Sequence, residues 1–276
     1  MKILSKLSYP YLVWMTILVV LPMMLILFLS FTSIDIFNIG SFSFTFDSFD
    51  YLKRPEVIEA FKNSVRLSFF TTIICLVIGY PVAYYFATMK SKNRQLYIAL
   101  IIVPVWSNML LRIIAWEKLF YPNSILNMFG ISFDLIGTDM AILIGMVSMY
   151  LPFMILPIYS VLDKMDKSLI EASRDLGANT FNTFLKIVFP LSLSGVLSGI
   201  LMTLLPSMTA FALPERLSGG KTLLIGNIIE DYFMKTGNIN AGSLISIILM
   251  LVITFLYIGL LKFDKEGDTL LWKIIF

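Results

Sequence analysis

Six long stretches of the chain are free of charged residues, and their length constrains the fold more than any other feature. An α-helix rises about 1.5 Å per residue, so about 20 apolar residues cross a hydrocarbon layer about 30 Å thick. The six stretches are 9–33, 67–89, 95–111, 140–162, 187–214 and 241–261. We therefore predict an all-α polytopic membrane protein with six transmembrane helices, forming one transmembrane domain over residues 1–276.

Composition limits the classes of function open to such a chain. Of its 276 residues, 58% are hydrophobic and only 14% are charged, whereas a soluble domain has about 25% charged residues. Histidine is absent and Cys75 is the only cysteine, which excludes an intrachain disulfide and a Cys/His metal cluster and removes the commonest general base. The net charge of +3 is too small to indicate a nucleic-acid partner. We expect a lipid bilayer around the chain, no cofactor or metal within it, and no enzymatic activity.

Lysine and arginine are unevenly divided among the segments that join the predicted spans. The turn 90–94 and the loop 163–186 are rich in them, and both termini carry further lysines. Because cytoplasmic loops of membrane proteins carry an excess of Lys and Arg, we predict that both termini and these two loops lie in the cytoplasm.

The cytoplasmic segment 163–190 has the pattern of two short helices joined by a turn. Ser168 and Glu171 have the spacing of a capping box, which predicts the start of the first helix. Gly177 stands where a left-handed C-terminal cap is needed, and Thr180 is predicted to cap the second helix. An amphipathic helical pair that is followed at once by a span is suited to docking onto a soluble partner.

This segment resembles the inner-membrane permease subunits of ABC importers. Their cytoplasmic signature is Glu-Ala-Ala, three residues, Gly, nine residues, then Ile-x-Leu-Pro. The matching positions here are Glu171-Ala172-Ser173, Gly177, Ile187 and Pro190, with Ser173 and Phe189 replacing the third Ala and the Leu. The resemblance implies the type I ABC importer permease (MetI-like) fold. It also implies that this loop couples to an ATPase subunit through Glu171, Ala172, Arg174, Asp175 and Gly177.

A wider resemblance covers most of residues 60–260. Four stretches are similar to the spermidine/putrescine permeases, and within that group to the first of the two permease subunits: 79–89, 101–116, 150–178 and 213–233. The resemblance implies transport of polyamines across the bacterial cytoplasmic membrane by alternating access. It implies three partners, namely a dimer of ABC ATPase subunits that binds ATP and Mg, a second homologous permease subunit, and an extracytoplasmic polyamine-binding protein.

The segment 218–222, Ser-Gly-Gly-Lys-Thr, is similar to the end of a phosphate-binding P-loop. The full pattern requires a glycine five residues before Gly220, where Glu215 stands instead, and no strand is predicted before it. We therefore predict no nucleotide site in this chain and interpret the segment as a glycine-rich turn on the external face. ATP hydrolysis is expected on a separate subunit.

A polyamine carries several positive charges on a flexible chain, and an aromatic face holds such a charge with about 0.5–2 kcal/mol. Trp106 follows Pro104 inside a span, where a broken helix would expose side chains, and other aromatic residues also lie close to prolines. Acidic residues in the last outer loop would attract a cation. The hypothesis for the substrate path therefore comprises Trp106, Asn108, Tyr150, Phe211, Glu215 and Asp231.

Three alternatives remain open at this point. The same kind of permease could carry another solute, such as ferric iron, sulfate or molybdate. An ion-coupled secondary transporter is a more distant alternative, since such proteins often carry ionisable groups within their spans, and the interiors of these spans are nearly free of them. An intramembrane enzyme is disfavoured by the lack of histidine and of paired carboxylates in a span.

Overall fold

The computed structural model describes residues 10–261, with gaps at 12, 36–37, 91, 123 and 125–133. The terminal segments 1–9 and 262–276, whose lysines entered the orientation argument, lie outside the described residues. In chain order the helices are α1 (Val13–Ser30), α2 (Pro55–Thr88), α3 (Arg94–Trp106), α4 (Met109–Phe120), α5 (Asp139–Lys164), α6 (Lys167–Asp175), α7 (Thr180–Leu191), α8 (Leu193–Met208), α9 (Ala212–Leu217), α10 (Ile225–Glu230) and α11 (Ile239–Leu261). A π-helical turn, Asp231–Lys235, continues α10.

Within the described residues, four helices are long and apolar enough to cross a membrane: α1, α2, α5 and α11. Two further pairs, α3 with α4 and α7 with α8, pass the same test together but are bent by 91° and 62°. If each bent pair is one span, the structure has up to six, and the all-α polytopic fold predicted from the sequence is confirmed.

The helices differ from the predicted windows where charge or backbone breaks intervene. Helix α2 begins at Pro55, well before the window 67–89, because its first turns carry charged residues that an apolar window excludes. The window 95–111 covers the bend between α3 and α4, and the window 187–214 covers α8 together with the end of α7 and the start of α9. Pro81 lies inside a helix that stays continuous, so a proline in a span does not always break it.

One element was missed by the sequence analysis. Strand β1 (Thr32–Asp35) pairs antiparallel with β2 (Asn38–Phe44), with Thr32 opposite Phe44. The alternation of phenylalanine with serine and threonine over residues 42–46 is the period expected of a strand. The β1–β2 pair connects α1 to a 3-10 helix, Asp47–Lys53, that leads into α2.

Helix α5 is the centre of the bundle and packs against α2 and α8. Its side chains Ile142, Met146, Met154 and Ile158 are fully buried and belong to the main hydrophobic core. At its Asp139 end, the N–H of Gly137 donates to the carbonyl of Leu217. At about 1.5 Å per residue its 26 residues extend about 39 Å. The α6–α7 hairpin therefore follows one end of α5, while α9 adjoins the other.

The contact between α8 and α5 depends on two glycines one helical turn apart. A Cβ atom built on Gly195 would lie 3.0 Å from the carbonyl oxygen of Pro157 and 3.1 Å from Cα of Ile158. One built on Gly199 would lie 3.0 Å from the carbonyl oxygen of Met154. Small residues at this spacing let helix backbones approach closely in membranes. The side chains of Met154 and Val161 also lie within 3.0 Å of these positions, but the carbonyl oxygens and the Cα atom are backbone atoms that cannot move aside as a flexible side chain can.

We expect Gly195→Leu to destabilise the protein by about 1–3 kcal/mol or more, since overpacking forces the two backbones apart. Gly259→Leu on α11 is the matched control, because nothing lies within 4 Å of a Cβ atom there. The thermal unfolding midpoints of the two purified variants in one detergent measure the difference. Equal midpoints would contradict the close-packed α5–α8 contact.

Candidate functional site

The α6–α7 hairpin owes its turn to Gly177, whose φ is +81°. The N–H of Ala178 donates to the carbonyl of Ser173 at 3.0 Å, and the N–H of Leu176 donates to that of Ala172 at 3.1 Å. This is the bonding of a left-handed helix cap, which glycine adopts without the penalty of a Cβ atom. A Cβ atom on Gly177 would meet nothing within 4 Å. The glycine is therefore required by backbone conformation and not by space.

The helix starts predicted for this hairpin are wrong by one or two residues. Helix α6 begins at Lys167, and the carboxylate of Asp166 accepts the N–H of Ser168 at 2.9 Å, a bond that lowers the pKa of Asp166 below its usual value. Helix α7 is capped by Asn179, whose side chain accepts the N–H of Asn182 at 2.8 Å. The short Asp and Asn side chains reach backbone N–H groups two or three residues ahead, so they replace the serine and threonine as caps.

A hydrogen bond inside the hairpin accounts for its departure from the family signature. The hydroxyl of Ser173 lies 2.9 Å from that of Thr183, and both residues are buried. Ser173 also donates to the carbonyl of Ile170 at 2.9 Å, so Thr183 is the donor between the two hydroxyls. An alanine at position 173 would leave Thr183 without this acceptor. The serine and the threonine therefore form one structural unit.

The hairpin exposes large apolar side chains. We define the hairpin face as Leu169, Leu176, Phe181 and Leu185, which are 44%, 88%, 67% and 46% exposed. Of the predicted coupling residues, Glu171, Ala172 and Asp175 are exposed on α6, and Arg174 lies on the same helix with its side chain outside the described part of the structure. Apolar groups exposed together with charged ones are typical of a surface that another protein covers.

Aromatic side chains connect the hairpin to the bundle. The ring of Phe184 on α7 meets those of Tyr80 and Tyr84 on α2, with centroids 5.6 and 5.9 Å apart and nearly perpendicular planes. The hydroxyl of Tyr80 lies 2.8 Å from that of Ser192, at the bend between α7 and α8. These contacts connect the hairpin to α2 and to the α7–α8 bend.

Trp106 and Asn108, predicted on the substrate path, flank the bend between α3 and α4. Trp106 ends α3 and is 86% exposed, while the side chain of Asn108 caps α4 by accepting the N–H of Leu110 at 2.9 Å. Arg112 stabilises the bend, because its guanidinium donates to the carbonyls of Pro104 at 3.2 Å and Ser148 at 2.8 Å. The guanidinium of Arg112 thus joins the end of α3 to the backbone of α5.

Tyr150 and Phe211, also predicted on the path, differ in exposure. Tyr150 is buried, and its hydroxyl donates to the carbonyl of Pro206 at 3.3 Å. Phe211 is 46% exposed and follows the end of α8. Its carbonyl accepts the side-chain amide of Asn227 at 2.8 Å, which holds α10 against the break after α8. Tyr150 therefore packs inside the bundle, whereas the side chain of Phe211 is accessible.

A cavity of about 660 Å³ opens beside Phe211. We name it the α10–α11 cavity; it lies between residues 209–211, α10 with the turn that follows it, and α11. Its wall is mainly apolar, including Phe211, Phe233 and Met250, and Glu230 is the one charged residue in the described lining. Glu230 was not chosen on the sequence, although it lies in the same acidic loop as the two carboxylates that were.

Those two predicted carboxylates, Glu215 and Asp231, both form ion pairs with Lys235. The ammonium of Lys235 lies 3.5 Å from Glu215 and 3.0 Å from Asp231. Burial raises the pKa of Glu230 above its usual value, and the charges of Glu215 and Asp231 raise it further against the opposing effect of Lys235. The structure thus brings Phe211, Glu215 and Asp231 to one region. Trp106 and Asn108 belong to a different element.

Comparison with known proteins identifies the family. Residues 79–263 match the family described as binding-protein-dependent transport system inner membrane component. The chain belongs to this family. It is a multi-pass inner-membrane transport subunit and not an enzyme.

Relatives within the family include two spermidine/putrescine transport system permease proteins named PotB. The protein from Haemophilus influenzae is 38% identical, with 88% of this chain and 89% of that protein covered. The protein from Escherichia coli K12 is 36% identical, with 87% and 90% covered.

Solved structures agree on the fold. A chain of a bacterial ABC transporter involved in the import of the acidic polysaccharide alginate has a TM-score of 0.73 at 14% identity, covering 97% of this chain and 96% of that one. A chain of the MetNI methionine ABC transporter in an inward-facing conformation has a TM-score of 0.59 at 15% identity, covering 77% and 96%. The fold is that of the type I ABC importer permeases.

The bond between Ser173 and Thr183 predicts a non-additive pair of substitutions in this permease. Ser173→Ala should lower the opening free energy of the hairpin by about 1–3 kcal/mol, because it leaves a buried hydroxyl unpaired. The double variant Ser173→Ala/Thr183→Val should recover much of that loss, since both polar groups are removed. Hydrogen exchange of the α6 and α7 amides measures both effects. Strictly additive losses would show that the two hydroxyls do not interact.

Proposed function

We propose that the chain is the first permease subunit of an ABC importer for spermidine and putrescine. The main support is the α6–α7 hairpin, which presents its exposed apolar face beside a signature of ABC importer permeases and contacts the bundle through Phe184. Identity of 36–38% to PotB proteins over most of the chain supports polyamines as the substrate.

In this proposal the importer works by alternating access. An extracytoplasmic polyamine-binding protein delivers substrate to a heterodimer of this chain and a second homologous permease. Two ABC ATPase subunits bind ATP and Mg, and their closure moves the hairpin through Glu171, Ala172, Arg174, Asp175 and Gly177. Both chain termini, the hairpin and the turn 90–94 lie in the cytoplasm, and α9, α10 and the acidic loop face outward. The rings of Tyr80 and Tyr84 then receive the motion of the hairpin.

The proposed substrate path passes the exposed ring of Trp106 and the open side of Phe211. Asn108 shapes the α3–α4 bend beside Trp106. Tyr150 acts from within the bundle by holding the carbonyl of Pro206. Glu215 and Asp231 lie near the entrance, where their charge attracts a cation while water still hydrates it.

Coupling through the hairpin is tested by a pair of glycines with the same backbone conformation. Gly177→Ala should reduce ATP-driven uptake of labelled spermidine about 5- to 30-fold. The left-handed backbone conformation costs a non-glycine residue about 1–2 kcal/mol, and this cost destabilises the helix cap of the hairpin. Gly220→Ala is the control, since Gly220 has φ +79° and equally open surroundings but lies far along the chain, beyond α9.

The assay uses the complete importer in proteoliposomes, with binding protein outside and ATP on the ATPase side. Equal loss of uptake in both glycine variants would assign the effect to general strain and remove the hairpin from coupling. Competition by unlabelled ferric iron, sulfate or molybdate, with none by putrescine, would replace the polyamine with another solute.

Trp106→Ala should raise the KM for spermidine about 2- to 30-fold if the ring holds an ammonium group, since a cation–π contact contributes about 0.5–2 kcal/mol. Trp14→Ala is the matched control, because Trp14 on α1 is also well exposed, at 62%. Uptake kinetics at equal amounts of membrane-inserted importer give both values. A KM unchanged by Trp106→Ala would take this residue off the path.

A further inference from the structure

The α10–α11 cavity combines features that Phe211, Glu215 and Asp231 alone do not explain. It is walled by the break after α8 on one side and by α11 on another, and Gly226 closes it from α10. A Cβ atom on Gly226 would lie 2.7 Å from the carbonyl oxygen of Thr209 and 2.8 Å from that of Ala210. On this side of the cavity, α10 therefore packs backbone against backbone on residues 209–210.

The cavity is long in the direction of α11. Its lining residues on that helix run from Ser246 to Ile253. At about 1.5 Å per residue they lie about 10 to 21 Å from the first residue of α11. Glu230 is the one charged residue in the described lining, and the rest of the lining is largely apolar and aromatic. A mostly apolar wall with a single carboxylate fits an alkyl chain that carries an ammonium group.

The charge in the cavity is left without a full counter-charge. Lys235 makes its ion pairs with Glu215 and Asp231, at 3.5 and 3.0 Å. Glu230 lies next to this group, and its raised pKa reflects burial and two neighbouring carboxylates. Three carboxylates thus share one ammonium group. A second ammonium group at Glu230 would offset both the desolvation of its carboxylate and the repulsion from its two neighbours.

We propose that the α10–α11 cavity binds one terminal primary ammonium group and the adjoining methylene chain of a polyamine, with Glu230 as the counter-ion. Phe211 and Phe233 supply apolar and cation–π contact to the chain. Lys235 competes with the substrate, because its own primary ammonium group neutralises part of the negative charge around the site. This inference rests on the polyamine substrate proposed above and adds to it a specific site, its counter-ion and a residue that limits its affinity.

Two substitutions with opposite expected signs test the site in the reconstituted importer. Glu230→Gln should raise the KM for spermidine about tenfold or more, because it removes a charge-assisted hydrogen bond. Lys235→Met should lower the KM about 2- to 5-fold, because it removes the competing cation. Damage to packing would impair uptake in both variants. Glu59→Gln, an exposed carboxylate on α2, is the matched control and should leave the KM unchanged.

A binding measurement separates this inference from the proposed function. Butylamine, which has one ammonium group and a four-carbon chain, should raise the thermal unfolding midpoint of the purified importer, and Glu230→Gln should abolish that rise. This result would support the site even if spermidine is not imported.

Three outcomes of the uptake and binding measurements would overturn the site. They are a KM for spermidine that is unchanged by Glu230→Gln, a rise in KM in both the Glu230 and Lys235 variants, and stabilisation by butylamine that persists without Glu230. Loss of the second permease subunit from the purified Glu230→Gln complex would likewise assign the cavity to subunit packing.

Discussion

Backbone groups freed inside an apolar medium must find partners within the protein, and this constraint governs each break in the bundle. At the α3–α4 bend, Arg112 and Ser107 donate to the carbonyl of Pro104, at 3.2 and 2.6 Å. At the end of α8, Tyr150 donates to the carbonyl of Pro206, inside the last turn, and Asn227 donates to the carbonyl of Phe211, just after the helix. At these two breaks, a side chain from beyond the broken helix thus satisfies a carbonyl at its end. The polar groups involved lie close to the surfaces proposed for transport.

Packing contacts connect the hairpin at one end of the molecule to the α10–α11 cavity at the other. The hairpin meets α2 through Phe184, and the hydroxyls of Tyr80 and Ser192 join α2 to the α7–α8 bend. Helix α8 then runs along α5 with glycines in contact with its backbone. A close backbone contact leaves little room for compression between α8 and α5, except at the ends of α8. Those ends are the Ser192 bend and the residues 209–211 that wall the α10–α11 cavity.

Much of the fold could be predicted from the sequence, because uninterrupted apolar length is a strong and local signal. The turn of the α6–α7 hairpin could also be predicted, since Gly177 has a conformation that few other residues adopt. Its exact helix starts were not, because Asp166 and Asn179 compete with neighbouring serine and threonine for the same N–H groups.

The candidate site was predicted only in part. Residue type and loop position gave Glu215 and Asp231, but not that Lys235 pairs with both of them. Glu230 was not predicted as a site residue. It differs from its acidic neighbours because it lines a cavity, and the other walls of that cavity come from α11 and from residues 209–211, each about 20 positions away in the chain. Tyr150 was predicted from its neighbourhood to prolines, and only the three-dimensional packing shows that it is buried.

The right-angled α3–α4 segment has a consequence for the surrounding lipid. Two arms that meet at 91° cannot both stand upright, so at least one is inclined by roughly 45° or more, well beyond the average tilt of about 20° for membrane helices. An inclined arm occupies more area in one leaflet than in the other. The lipid or protein beside this segment therefore meets a helix axis that lies partly in the plane of the membrane.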